Sequence, residues 1–233
     1  MRILYRYQHS FLLPQDYGHW DQDQRSRHIM GNIAPVINHL VQQPGVEVCY
    51  DIGANVGFVS WLMLSWGRRV FAWEPNPAML PYLNHNAPGI TELLTHAVSN
   101  HDGTAQFTHC TDQRSQAAAL DPQAPHQVQC RRLDSYDHLP PPDLVKIDVE
   151  GHELAALQGM ARVLSEQHPW IVVEDKWHRE SMHQYLQQQG YLCHTQWKND
   201  SVWHHVKRPI QHPPYHWQGF MDGLSAPSHW PAY

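Results

Sequence analysis

Residues 47–57, E-V-C-Y-D-I-G-A-N-V-G, constrain this chain more than any other stretch. The apolar run 46–52 is bounded by Gly45 and Gly53 and reads as a buried strand, with Asp51 near its C-terminal end. Gly53, Asn55 and Gly57 then alternate. Glycine in such a turn permits sharp bends and leaves the backbone open to a ligand. Residues 56–66 are apolar, long enough for a helix, and followed by Gly67 as a stop. Strand, glycine loop and helix in this order form the first unit of a nucleotide-binding α/β fold. A tight turn holding nothing would account for the glycines alone; it leaves unexplained the acid, Glu74, at the end of the next strand.

The alternation continues downstream. Residues 69–73 form a second strand closed by Glu74, and Pro75-Asn76-Pro77 breaks the chain before a helix over 77–87. A third strand covers 91–98, Asn100-His101-Asp102-Gly103 is a hairpin-type turn, and 104–110 and 128–133 are extended pieces around a surface loop at 111–126. After Pro140-Pro141-Pro142, D-L-V-K-I-D-V-E-G is a strand ending in acids. Leu154, Leu157, Met160, Ala161 and Leu164 then share one face of a helix over 152–166. Residues 170–173 form a strand ending at Glu174-Asp175, 181–189 a helix stopped by Gly190, and 191–196 with 201–206 a closing strand pair. Ahead of the first strand, apolar residues recur at helical spacing over 26–42, with Pro35 a candidate kink. This order predicts an α/β domain: a mostly parallel sheet with helices on both faces, an antiparallel last hairpin, and ligands at the C-terminal strand ends. Three segments follow: an N-terminal extension (1–45), the α/β domain (46–208) and an aromatic, proline-rich tail (209–233) expected to pack on it.

Composition narrows the partners. The formal charge is −6 with 20 histidines neutral, and no basic stripe supports a nucleic-acid partner. There is no apolar run of about 18 residues, so no membrane span is expected. Cys49, Cys110, Cys130 and Cys193 form no C-x-x-C pair, which suits a reducing compartment, and the expectation is a cytoplasmic protein. The oligomeric state is open.

Two cofactor classes compete for the loop. The dinucleotide fingerprint G-x-G-x-x-G needs a second glycine where this chain has Asn55. Asp51 before the loop would repel a pyrophosphate and attract an ammonium group. Both points weigh against an NAD-dependent oxidoreductase and for S-adenosylmethionine. Glu74 is placed to accept hydrogen bonds from ribose hydroxyls in either class. Taken together, Y-D-I-G-A-N-V-G-F-V-S, F-A-W-E-P-N-P, L-V-K-I-D-V-E-G-H-E-L-A-A-L-Q-G-M and I-V-V-E, in order over 46–174, resemble the FkbM family of S-adenosylmethionine-dependent methyltransferases. The resemblance implies a class I (Rossmann-like) methyltransferase fold, with a seven-stranded, mostly parallel sheet and an antiparallel last strand. It implies O-methylation of a sugar, glycan or natural-product hydroxyl. It carries Asp51, Gly53, Asn55 and Glu74 over as cofactor residues, with Gly57 and Pro75 beside them and Val98-Ser99 as the adenine edge. A non-catalytic module keeping the fold and the cofactor is the remaining alternative.

An alcohol must lose its proton near the transition state of methyl transfer, so a base or a metal ion is expected. Asp148, after the L-V-K-I strand, and His152, at a helix start that disfavours its charged form, are the candidate bases. Asp148, Glu174 and Asp175 could converge as oxygen ligands for Mg²⁺ or another divalent cation. Lys146, inside a buried strand, requires an acidic partner. Glu150 and Glu153 read as charges favouring the helix N-terminus. His204-His205, His212 and His216 fit no zinc spacing, and Trp177 with His178 are the aromatic pair best placed for a substrate.

Overall fold

The computed structural model describes residues 2–6, 9–14, 33–108, 119–176, 178–197 and 199–210. The 26–32 part of the helix expected over 26–42, residues 111–118 of the 111–126 loop, Cys110, Trp177 and the tail beyond 210 lie outside the described residues. A hairpin of β1 (Arg2–Arg6) and β2 (His9–Leu13) opens the chain, followed by α1 (Ala34–Val41). Next come β3 (Val48–Ile52), α2 (Phe58–Ser65), β4 (Arg69–Trp73), α3 (Leu80–Asn86), β5 (Glu92–Leu94), β6 (Ala97–Val98), β7 (Gly103–Phe107) and β8 (His126–Arg131). After a 3-10 turn (Leu133–Ser135) follow β9 (Leu144–Ile147), α4 (Glu153–Gln158), α5 (Ala161–Gln167), β10 (Trp170–Glu174), α6 (Arg179–Gln188), β11 (Tyr191–Trp197) and β12 (Asp200–His205).

The central sheet has seven strands in the order β11-β12-β10-β9-β3-β4-β5. The five strands from β10 to β5 are parallel, and β12 runs antiparallel to both β10 and β11, as the sequence predicts. Every residue of β3 and β9 is buried, which is why both read as near-continuous apolar runs. Alternate residues serve opposite faces. Cys49, Val70, Ala72, Leu144 and Val172 pack with α1, α2 and α3, whereas Tyr50, Ile52, Trp73, Ile147 and Val173 pack with α4, α5 and α6. Strand order reverses between β3 and β9, and their C-terminal ends open a crevice at this switch point.

The opening hairpin joins the first of these cores. Phe11 packs edge-on against Phe58 at 4.4 Å and Trp61 at 5.1 Å. Buried Asn86 ties β2 to α3: it accepts from Leu12 N–H (2.7 Å) and donates to Leu12 O (2.9 Å) and Val56 O (2.7 Å). Asn86→Ala strands these backbone groups and is expected to cost about 2–4 kcal/mol in urea unfolding.

Three expected elements differ. The strand over 91–98 divides, because Trp73↔Leu94 is the last pair of β4 with β5. Beyond it the chain leaves the main sheet, and β6 joins a small sheet, β6-β8-β7. The helix over 152–166 breaks at Gly159, where a Cβ would stand 1.9 Å from the Ser99 carbonyl oxygen. Asp134 then caps α5, its carboxylate accepting from Arg162 N–H (2.8 Å) and Val163 N–H (3.1 Å). Pro35 falls in the first turn of α1, where its missing N–H costs nothing, and so makes no kink.

Candidate active site

The β3–α2 loop forms the floor of the crevice. Gly53 has φ +80°, and its absent side chain would stand 1.9 Å from the Asp148 carbonyl oxygen, so the two switch-point strand ends meet only because this residue is glycine. Asn55 takes a left-handed turn (φ 50°) and points its N–H at Glu74 Oε2, 2.7 Å away. Asn76 N–H donates to Glu74 Oε1, also at 2.7 Å. Glu74 is thus held by two backbone donors at the mouth of β4, with only 6% of its surface exposed. Burial pushes its carboxyl up to about 7 even against these two bonds.

The opposite side is acidic. Lys146 Nζ lies 3.3 Å from Asp148 Oδ2, 3.7 Å from Asp51 Oδ1 and 3.3 Å from the Gly53 carbonyl oxygen. Burial pulls this ammonium's pKa down, but the Asp148 and Asp51 carboxylates more than offset it, and the net shift is upward. Asp148, Glu150 and Glu174 bring carboxylate oxygens within 4.8 Å of one another. Burial, then the neighbouring Asp148 charge, raises Glu150 to about 7 and also raises Glu174. The left-handed pair Glu150 (φ 51°) and Gly151 (φ 96°) is pinned by Glu153 Oε1, which accepts from Val149 N–H (3.2 Å) and Gly151 N–H (3.0 Å). His152 follows, its Nε2 3.0 Å from Ser99 Oγ. Burial, then His101, holds this imidazole below its usual range.

These groups surround one open cleft of about 230 Å³. Of the residues singled out from the sequence, Gly53, Asn55, Glu74, Pro75, Val98, Lys146, Asp148, His152 and Glu174 line it. The others stand elsewhere. Asp51 is fully buried beneath the loop, bonded by Ser60 Oγ at 2.6 Å and facing Lys146, so its charge reaches the cleft through that ammonium and not by contact. Gly57 starts α2, where a Cβ would meet Leu83 at 2.8 Å; its smallness serves helix packing. Ser99 is buried behind the wall, against His152. Asp175, expected beside Asp148 and Glu174, points away from them and binds Arg179 (2.8 Å) and His183 (3.1 Å). Glu150 occupies the place foreseen for Asp175, and His96, Asn76 and Asp200 also line the cleft unforeseen. Asp200 was legible in part: the β11–β12 turn must return beside the end of β10, and Asp200 pairs with Glu174. His178 starts α6 in an exposed position outside the lining.

A seven-stranded sheet of this order, with a glycine loop and a capped acid at adjacent strand ends, defines a class I methyltransferase fold. The chain matches the Methyltransferase FkbM domain over residues 51–193 and belongs to that family. It is 30% identical over 134 residues to the hexuronic acid methyltransferase AglP of Haloferax volcanii, a match covering 55% of this chain and 55% of that protein. The chain therefore spans about half the length of the curated relative it matches. Among solved structures, it resembles the methyltransferase FkbM of Methylobacillus flagellatus KT (TM-score 0.52, 20% identity, 72% of this chain and 48% of that one). It also resembles the magnesium protoporphyrin IX methyltransferase ChlM of Synechocystis PCC 6803, solved with bound S-adenosylmethionine (TM-score 0.50, 14% identity, 82% and 88%). At these identities the two structures speak to the fold. No described helix is long and apolar enough to cross a membrane.

Proposed function

We propose that this protein is an S-adenosylmethionine-dependent O-methyltransferase acting on a hydroxyl of a sugar or glycan. The observation that carries the reading is Glu74. Its two oxygens each accept one backbone N–H and keep a lone pair, at the cleft mouth beside a loop too tight for any side chain at Gly53. That is the acceptor pair a ribose diol needs. Gly53, Asn55, Glu74, Pro75 and Val98 would hold the cofactor, which when bound supplies an electrophilic methyl group on a sulfonium.

The rest of the cleft suits a hydroxyl acceptor. Asp148, Glu150 and Glu174 offer carboxylate oxygens to sugar hydroxyls and can fix one of them at attack distance. Lys146 positions Asp148. His152, kept neutral by burial, takes the hydroxyl proton. The hexuronic acid specificity in the name of the Haloferax relative supports a sugar as acceptor. A cytoplasmic setting belongs to the same reading, since Cys49, Cys130 and Cys193 are free thiols.

Thermal melting with S-adenosylhomocysteine and, separately, with NAD tests the reading: a rise with the former alone is expected, and a rise with NAD alone overturns it. Glu74 adds a pH signature. Its carboxyl titrates near 7 in the free protein, and ribose hydroxyls donate best to the ionised form. Affinity for S-adenosylhomocysteine should be flat well above that pH and weaken as pH falls through it, approaching about tenfold per pH unit by calorimetry. Because the proton goes to His152, methyl transfer should persist in excess chelator; loss of activity restored by Mg²⁺ would assign the carboxylate trio to a divalent cation instead.

A further inference from the structure

A polar chain runs from the cleft wall to solvent behind His152. Ser99, the residue after β6, is fully buried and does not line the cleft. Its Oγ is 3.0 Å from His152 Nε2, 3.2 Å from His101 Nδ1 and 3.5 Å from Asn100 Oδ1. His152 faces the cleft and His101 is exposed on the other side. The arrangement is built from several directions. Ser99 N–H donates to the Arg131 carbonyl at 3.1 Å, and Gly159 lets the end of α4 press against the Ser99 carbonyl. Asn100 Nδ2 donates to Gln158 Oε1 at 3.0 Å, so α4 and the β6–β7 turn are tied at both ends of the helix.

The two nitrogens of His152 are therefore unlike. Nε2 is engaged by Ser99. Nδ1 has no partner among the described residues, although His152 stands at the N-cap of α4, where a side chain commonly bonds back to the first turn. Nδ1 is the nitrogen left for the cleft.

We propose that Ser99 and Asn100 are positioning residues that hold His152 as the Nε2–H tautomer, leaving the Nδ1 lone pair for the acceptor hydroxyl. This rests on the methyltransferase reading. Ser99 Oγ accepts from His152 Nε2–H and donates its own hydrogen to Asn100 Oδ1, which also accepts from His101 Nδ1–H at 3.1 Å. In the transfer, the acceptor oxygen bonds to the methyl carbon, the carbon–sulfur pair returns to sulfur, and the hydroxyl proton goes to His152 Nδ1. The imidazolium so formed strengthens its Nε2–H bond to Ser99. Among the described residues, the titratable groups about the ring are His101 on the β6–β7 turn and, on its own segment, Glu150 and Glu153; His101 is the one whose charge opposes protonation of His152.

Nitrogen-15 NMR of the histidine rings in the full chain, with no acceptor present, tests this. His152 is assigned by its loss in His152→Asn. At pH 8 the wild type should show His152 as the Nε2–H tautomer, and Ser99→Ala should shift it towards a mixture. His101→Asn should raise the His152 midpoint. A wild-type Nδ1–H tautomer, or the same tautomer ratio with and without the Ser99 hydroxyl, overturns the proposal, and the wild-type spectrum decides even if a variant does not fold. Melting with S-adenosylhomocysteine separates the two failures. Binding with the wrong tautomer sinks the positioning role alone, and absence of binding sinks the methyltransferase reading.

Discussion

Glu74→Ala is expected to weaken S-adenosylhomocysteine binding by about 10²–10⁴-fold, the equivalent of two hydrogen bonds to a charged acceptor at about 1.5–3 kcal/mol each. The change removes both oxygens that would take the ribose hydroxyls. It also strips the partner from Asn55 N–H and Asn76 N–H, so the loop itself loosens. Glu74→Gln separates the two effects. Its amide keeps one acceptor oxygen but turns an NH₂ group towards one of the two backbone donors. Affinity should fall between wild type and alanine, with a lowered melting temperature. Calorimetry on the three proteins above pH 8, where Glu74 is ionised, checks the order; equal affinity in all three would remove Glu74 from the site.

Lys146→Met should be the most destabilising single change at the site. Asp51 is 0% exposed, and Lys146 is the cation against it. Removing one partner of a buried pair costs about 3–5 kcal/mol, because the other charge stays buried without compensation. The pH dependence has a definite sign. Burial raises the Asp51 carboxyl above its unfolded value, so the folded variant binds the proton more tightly than the unfolded chain does. Its stability is then greatest below the unfolded aspartate value and falls as pH rises through the raised one. The deficit against wild type should shrink on acidification. Adding Asp51→Asn should recover part of the loss at neutral pH, since Ser60 Oγ can still donate to the amide oxygen. Urea unfolding of the single and double variants at two pH values measures both effects.

What the sequence revealed and what it hid follow from how local each signal is. The β3 run, the glycine loop and Glu74 are each written in a few consecutive residues, and their strand order follows from alternation. The Asp51–Lys146 pair is not local. The two are Cα neighbours on β3 and β9, a register that exists only once the strand order is known. Glu174 and Asp175 carry a local signal in their adjacency alone. Consecutive residues at a strand end face opposite sides, so two adjacent acids cannot both enter one crevice. Glu174 enters it and Asp175 goes to α6. Glu150 reaches the trio through a left-handed turn that its residue type does not announce. The Ser99–His152 contact joins positions 53 residues apart, and only the packing of α4 on the β6–β7 turn creates it.

A crystal structure with S-adenosylhomocysteine tests the central claim most directly. The ribose should lie on Glu74, and the sulfur should face the wall formed by Asp148, Glu150 and His152. A cofactor seated away from Glu74, or one whose sulfur points away from that wall, would contradict the assignment of this cleft to methyl transfer.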